Sequence, residues 1–552
     1  MNSGVPDAVL TRRDLLKAVG VVTIAVTGPQ LRSRPAEAQT PKRGGTLRTS
    51  VISDPVTGFD PHQTISFVTM VPLSFAYSRL VKVKAGPDVK PMTYPLEPDL
   101  AESWSRTDET TYVFKLRKGV RWHPKPPVNG RELTSDDVKY TYERFLSVKN
   151  NGNRPVLESV ERIEAPDKYT VKFVLKEPNA WFLDNLASTS TWIIAKECVE
   201  KFGDLKKAES VVGTGPWMLE RWEPNVRLHY VRNPNYFVPG LPYADAVDVL
   251  IDKDPSSRLA AFLAGKLDFA PEYQHVIRRL DLAVAKQRRP NLQTAEYAWF
   301  TSFSTGLKID KPPFNDVRVR RALSRAVSLA EIHESNAFSQ GQYVLNPAVP
   351  AASAEWSIPI DQLGPEGRKL YEFSTADARR LLTEAGHPNG FKTEVEAPGT
   401  GYGPDFLDAV QVTVKNWKAA GIDADLKLKE YGAFISSTIY GKFDHMFLGL
   451  RGAWTDPEAY FYRVYMPGQP LNVMNVNDPK LTEMIKLQRR TFDVPKRKQI
   501  IYDIQRYLAE QAYFGTNSST KVVSAWEPHI KNYMPNNGFD YGGRMMAAWI
   551  DK

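Results

Sequence analysis

Two stretches of the chain alternate apolar and polar residues at the period of a β-strand. Over 111–117, Tyr112, Phe114 and Leu116 fall on one face. Over 168–176, Tyr169, Val171, Phe173 and Leu175 do the same, opposite Thr170, Lys172 and Lys176. Each predicts a half-buried antiparallel strand, because such alternation marks a sheet with one wet face. Elsewhere apolar residues recur at helical spacing behind a polar start. Thr134-Ser135-Asp136-Asp137 puts a threonine three residues before a carboxylate, and Val138, Tyr142 and Phe145 follow on one helix face. Ser374-Thr375-Ala376-Asp377 repeats the device before Ala378-Arg379-Arg380-Leu381-Leu382, and Gly386 is placed to end that helix. A third helix is predicted from about Asp316 through Ala322, Leu323, Ala326 and Val327, with Pro312-Pro313 holding the chain extended ahead of it. Strands and helices interleave, so the fold class is mixed α/β.

Turn-forming residues punctuate the chain at 41–45, 212–216, 311–316, 398–404 and 535–538. No solenoid repeat and no low-complexity tract appears. The 552 residues suffice for two or three domains, and 42% hydrophobic with 11% aromatic residues suits ordered globular structure. The 72 basic and 63 acidic residues are interspersed, giving a formal net charge of +9 without a long basic run. That pattern predicts a mixed-charge surface and no nucleic-acid partner.

The first segment changes the picture. Thr11-Arg12-Arg13-Asp14-Leu15-Leu16-Lys17 precedes a short apolar stretch, Ala18 to Val26. Pro29, the basic Arg32-Ser33-Arg34 and the small-x-small site Ala36-Glu37-Ala38 follow. Basic region, apolar region and cleavage site stand in the order of a secretion signal, with an apolar stretch too short to span a bilayer. The paired arginines resemble the twin-arginine export signal, with an ordinary Sec signal or a mobile tail as the alternatives. Residues 1–38 are therefore expected to be a signal peptide, and twin-arginine export machinery an expected partner. The protein that remains is expected to be a soluble periplasmic monomer. Its single cysteine, Cys198, lies in a mostly apolar run and reads as buried and inert.

The search for catalytic chemistry returns little. The eight histidines are scattered, no pair has the i, i+4 spacing of a zinc site, and no HExxH occurs. There is no GxxxxGK[ST] and no GxSxG. Gly213-Thr214-Gly215 and Gly399-Thr400-Gly401-Tyr402-Gly403 do not complete GxGxxG and read as turns. Asp136/Asp137 fits helix-start charge better than acid–base work. No enzyme activity, metal or cofactor is expected. Glycosidase carboxylates lack a local signature, so an exported hydrolase, or a peptide-binding chaperone, stands as the alternative function.

Several blocks, in order, resemble the extracellular solute-binding proteins of family 5, the peptide, opine and nickel group that serves ABC importers. They begin with Gly44-Gly45-Thr46-Leu47-Arg48 and Phe59-Asp60-Pro61-His62. The most distinctive are Leu100-Ala101-Glu102-Ser103-Trp104, Phe114-Lys115-Leu116-Arg117-Lys118-Gly119-Val120-Arg121-Trp122-His123 and Thr134-Ser135-Asp136-Asp137-Val138. Gly213-Thr214-Gly215-Pro216-Trp217, Arg232-Asn233-Pro234-Asn235-Tyr236 and Ala264-Gly265-Lys266-Leu267-Asp268 follow. The run from Pro313 to Leu323 and Leu381-Leu382-Thr383-Glu384-Ala385-Gly386 complete the set. The resemblance implies a two-lobed periplasmic-binding-protein fold (type II) with an extra α/β domain in the first lobe. Lobe one would take 39–81, 213–300 and 515–552, the extra domain 82–212, and lobe two 301–514. A small-molecule or peptide ligand would be captured between the lobes and delivered to ABC transporter permease subunits.

On the same resemblance, Tyr273, Phe303, Tyr402, Trp454 and Asn517 are candidate walls of the cleft, each with a competing reading as ordinary packing. The segment 449–457 is similar to the second-lobe cleft loop. There the aspartate that takes a dipeptide's amine in relatives is replaced by Ala453, and the carboxylate-binding arginine falls near Thr400. Both charge anchors of a dipeptide site are missing, which points to longer peptides, opines, sugars or anionic solutes. Arg451 has two readings: a fork for an anionic group, or a structural partner of Asp444 or Asp456.

Overall fold

The first strand, Thr46–Val51, finds its parallel partner at Ala246–Ile251, in register from Thr46↔Ala246 to Val51↔Ile251. In the computed structural model the described residues are 40–55, 58–64, 66–149, 151–346, 355–399, 402–452, 457–513, 515 and 517–552. The expected signal peptide lies outside them. Ala246–Ile251 pairs antiparallel with Arg227–Arg232, which pairs with Trp217–Glu223, completing a four-stranded sheet. Parallel strands need a long crossover, and this one contains a second sheet.

That second sheet is antiparallel, in the order Ala101–Arg106, Thr111–Leu116, Thr170–Leu175, Val160–Asp167. Both alternating segments of the sequence lie here. Tyr112, Phe114, Val171 and Phe173 are buried. The Phe173 ring lies 5.5 Å from Phe114, 5.5 Å from Tyr142 and 5.3 Å from Phe182. Tyr142 comes from the helix Ser135–Ser147, which begins with the capping box read from sequence: Thr134 and Asp137 exchange bonds with each other's backbone N–H. Asp137 does more than cap, since its carboxylate also accepts from the Arg131 guanidinium at 2.8 and 2.6 Å. Cys198 is buried on the helix Lys196–Phe202, where burial pushes its thiol up to about 12.

The third sheet has eight strands. Its main path is Val276–Ile277, Asn517–Trp526, Thr301–Leu307, Met446–Gly452, Phe391–Pro398 and Ile422–Lys429, with Gln293–Ala298 and Tyr343–Asn346 also paired to Asn517–Trp526. That ten-residue strand is shared: residues 521–526 pair with 293–298, while 517–520 pair with 343–346. It therefore runs from one packed body into another.

The two bodies have separate cores. Leu47, Phe59, Phe75, Trp122, Tyr142 and Trp217 centre the first, to which Trp526, Tyr533 and Tyr541 return from the C-terminal end. Phe434, Phe461, Leu481 and Leu508 centre one cluster of the second body, and Phe314, Trp417 and Leu448 another. The helix Thr375–Glu384 forms as expected, with Ser374 Oγ accepting from Asp377 N, and Gly386 past its end has φ +91°. The helix Val317–Arg325 starts at Asp316, whose carboxylate accepts from Arg318 N at 2.8 Å. Its Arg320 donates to Gln511 O at 2.8 Å, satisfying a carbonyl that the end of the helix Val494–Gln511 leaves orphaned. The expectation of an extended lead-in at Pro312-Pro313 is corrected. Residues 309–316 fold as turns, because Asn315 N bonds back to Lys311 O and Asp316 N to Pro313 O. Among the described residues no helix is long and apolar enough to cross a membrane.

Candidate functional site

The described site candidates fall on both bodies joined by the shared strand. Tyr273 sits on a turn whose next two residues, Gln274 and His275, have φ of 63° and 59°. L-residues avoid that region, so the surroundings must hold it. They do. His275, fully buried, bonds Tyr533 Oη through Nδ1 at 2.5 Å and Thr49 Oγ1 through Nε2 at 2.9 Å, and stacks on Phe269 at 4.5 Å. Burial drives its imidazole well below the usual value, so it is neutral. Tyr541 Oη accepts from Gln274 N, and buried Arg258 grips Glu272 through one nitrogen at 2.8 Å to each oxygen. The turn is fixed at four points, and Tyr273 is presented by it.

The Tyr273 ring is half-buried and meets Phe67 at 4.6 Å, Phe300 at 5.7 Å and Phe539 at 6.0 Å. All four rings keep partial exposure. Such a cluster is an apolar wall on the first body. Sequence reasoning found only Tyr273 of the four. Phe300 had a usable signal, three residues before a named candidate and immediately ahead of the strand Thr301–Leu307 that carries it.

On the second body, Phe303 is buried against Phe406, ring centroids 5.6 Å apart, and faces the core rather than open space. Tyr402 is half-buried and continues the row, 5.0 Å from Phe406 and 5.4 Å from Tyr431. Arg451 stands opposite Ser302 in the strand pair, so alternation puts it on the other sheet face from Phe303. Its guanidinium lies 5.6 Å from the Phe447 ring centre. Asp444, one of the structural partners considered for it, instead faces Lys311 at 3.7 Å. Among the described residues no hydrogen bond or ion pair engages the Arg451 guanidinium. Asn517 pairs with Asn346 through the backbone register. Asn346 Nδ2 in turn donates to Ser302 Oγ at 2.6 Å and Ser519 Oγ at 2.8 Å, a buried polar knot at the crossing. Trp454, Ala453, Asp456 and Thr400 lie outside the described residues.

The structure thus clusters Tyr273 with Phe67, Phe300 and Phe539, sets Tyr402 beside Phe406 and Tyr431, and puts Arg451 on the opposite sheet face from the core-facing Phe303. An apolar wall, half-exposed aromatics and a guanidinium suit capture of an organic solute. Among the described residues no group of three or more His, Cys, Asp and Glu side chains is arranged to hold a metal.

The sequence profile of the bacterial extracellular solute-binding proteins, family 5 Middle, matches residues 95–471. Di/tripeptide-binding protein 1 of Pseudomonas aeruginosa is 29% identical over 445 residues, 75% of this chain and 79% of that protein. An ABC transporter-associated periplasmic binding protein of Helicobacter pylori, solved with the peptide STSA, superposes at a TM-score of 0.76 and 23% identity, over 93% of this chain and 99% of that one. The oligopeptide-binding protein AppA of Bacillus subtilis, solved with a nonapeptide, gives 0.76 at 20% identity, over 93% and 100%. The fold is that of the two-lobed binding proteins.

Proposed function

The chain belongs to the bacterial extracellular solute-binding proteins of family 5, and on that premise we propose that it is the extracytoplasmic receptor of an ABC importer. It captures a peptide-like or other small organic solute between its lobes and hands it to membrane permease subunits. The observation that carries this reading is the shared strand Asn517–Trp526, paired with Gln293–Ala298 at one end and with Tyr343–Asn346 at the other, which joins two separately packed bodies, the first of them carrying the aromatic cluster around Tyr273. A solute touching both sides favours the closed arrangement over the open one, and closure buries it.

In this reading the first lobe takes 39–81, 213–300 and 515–552, the added layer 82–212 and the second lobe 301–514. The receptor reaches the periplasm through the twin-arginine route, loses residues 1–38, and works there as a monomer without catalysis. Peptides longer than two residues and anionic organic solutes are its ligand classes, because Ala453 and Thr400 stand where dipeptide anchors would be. Arg451 supports the anionic end, as a guanidinium fork matches a carboxylate.

A melting-temperature screen against dipeptides, longer peptides, opines and oligosaccharides tests this. A ligand bound only by the native state raises the melting temperature in proportion to the logarithm of its concentration over Kd. A selective rise with a longer peptide or an anionic solute is expected. A rise confined to dipeptides overturns the ligand assignment, and recovery of a hydrolysed product overturns the receptor reading.

A further inference from the structure

Trp181 lies between the strand Thr170–Leu175 and the short helix Phe182–Leu186, within the added layer. Its indole nevertheless belongs to the core of the second body. The ring meets Trp356 edge-on with centroids 4.9 Å apart. The Arg497 guanidinium lies 4.5 Å from the Trp181 centroid and 5.3 Å from that of Trp356. The indole N–H donates to Gln488 Oε1 at 2.8 Å. One residue earlier, Ala180 N donates to Arg489 O at 2.7 Å. That carbonyl sits in the last turn of the helix Pro479–Arg490 and has no intrahelical donor to receive. Trp181 keeps only 2% of its surface exposed.

The side chain is held firmly from behind. Asn179 is fully buried; its Oδ1 accepts from Trp181 N at 3.0 Å, and its carbonyl accepts from Tyr112 Oη at 3.2 Å. A preorganised anchor loses little entropy on docking. The rest of the seam is different. A cavity of about 680 Å³ opens beside it, with Arg154, Glu158 and Glu177 on the layer side and Tyr462, Gln469 and Arg489 on the other. The seam thus combines one buried aromatic plug with an open, charged cleft that adds no packing across it.

We propose that Trp181 is a closure lock: it enters the pocket formed by Trp356, Gln488 and Arg497 and sets the fraction of receptor that is closed. It thereby determines ligand affinity without touching the ligand. This rests on the reading that the two bodies close over a solute. A ligand that binds only the closed state has an apparent affinity scaled by that fraction. An aromatic anchor in a desolvated pocket is the side chain on which such an equilibrium depends most.

Spin labels test the lock without any ligand. Cysteines introduced at Glu161, 54% exposed, and Lys486, 44% exposed, report across the seam, and buried Cys198 stays unlabelled. The ligand-free wild type is expected to show a short-distance population. Trp181→Ala should reduce it about tenfold or more, and Trp356→Ala should match that from the opposite side. Gln488→Ala, which removes only the acceptor, should reduce it less. If Trp181→Ala does not fold, Trp356→Ala decides. A wild type without the short population, or equal distributions in the variants, overturns the lock. The tripeptide Ala-Ala-Ala serves as a separate probe, and its affinity should fall by the same factor as the closed population. If the wild type binds no peptide or other solute, the receptor reading fails, while the distances still decide the lock.

Discussion

The guanidinium of Arg144 and the carboxylate of Asp60 meet at 2.5 Å, with side chains 9% and 0% exposed. A second bond at 3.2 Å makes the pair a fork, and Arg144 Nη1 also reaches His62 Nδ1 at 2.8 Å. The pair ties the Phe59-Asp60-Pro61-His62 block to the helix that starts at Thr134-Ser135-Asp136-Asp137. Burial alone would raise the Asp60 carboxyl, but the Arg144 bonds and charge outweigh it and hold the group below its usual range.

Removing one partner leaves an uncompensated buried charge. Arg144→Met is therefore expected to cost about 3–5 kcal/mol in urea unfolding. The double variant Asp60→Asn with Arg144→Met should recover part of that loss. A double-variant loss equal to the sum of the Asp60→Asn and Arg144→Met losses would show that the two side chains are not coupled.

Four buried histidines set an acid limit. Burial depresses His62 to about 4, His123 to about 3 and His333 to about 4, and drives His275 well below its usual value. For His62 the neighbouring Arg144 charge adds to the effect. Each ring is neutral when folded and takes up a proton on unfolding below about 6.5, so the unfolded state binds more protons there. Their contribution is complete above 6.5 and is lost as the pH falls towards the folded values. The burial-raised carboxyl of Asp184, at about 6, offsets part of this. A fall in melting temperature between pH 6.5 and 4.5 is expected, equivalent to several kcal/mol on the order of one per ring. His123→Gln should flatten the profile. A melting temperature constant across that window contradicts neutral burial.

Gly213 and Gly215 read from sequence as a turn, and the structure gives the reason for glycine. A Cβ on Gly213 would stand 1.9 Å from Ala76 O, and one on Gly215 would stand 2.5 Å from Ala76 C. Gly215 N also donates to Ala76 O at 2.9 Å. The backbone cannot yield, so Gly213→Ala is expected to destabilise by about 3 kcal/mol or more, read by chemical denaturation. Gly364→Ala is the control. Nothing lies within 4 Å of its added Cβ, and a change of about 0.5 kcal/mol or less is expected.

Arg451 lies on the strand Met446–Gly452 without a hydrogen-bond or ion-pair partner among the described residues. Arg451→Ala should weaken an anionic solute about tenfold or more and move the melting temperature by only about 1–2 °C. A collapsed melting temperature with affinity intact in the surviving protein would make Arg451 structural.

Local signals were legible wherever the interaction that produces them spans a few residues. The Thr134–Asp137 capping box, the Ser374 cap and the alternating faces of 111–116 and 170–175 all formed as read. The Pro312-Pro313 segment was misread because backbone bonds from Asn315 and Asp316 turn it back on itself. Within the candidate site, Tyr273 was found but Phe67, Phe300 and Phe539 were not, since they meet only through the folded chain. Phe303 was read as a possible wall and turned out to pack on Phe406, because strand alternation sends it to the core face.

By itself the sequence determined the α/β class and, through ordered blocks, the family, because caps, alternation and motif order are written in neighbouring residues. Tertiary structure alone decided that Thr46–Val51 pairs with Ala246–Ile251, that Asp60 pairs with Arg144, and that Trp181 docks in a distant core. Those contacts join residues far apart along the chain, and no spacing rule links them. Their partners are chosen by which surfaces remain unburied once the local elements have formed.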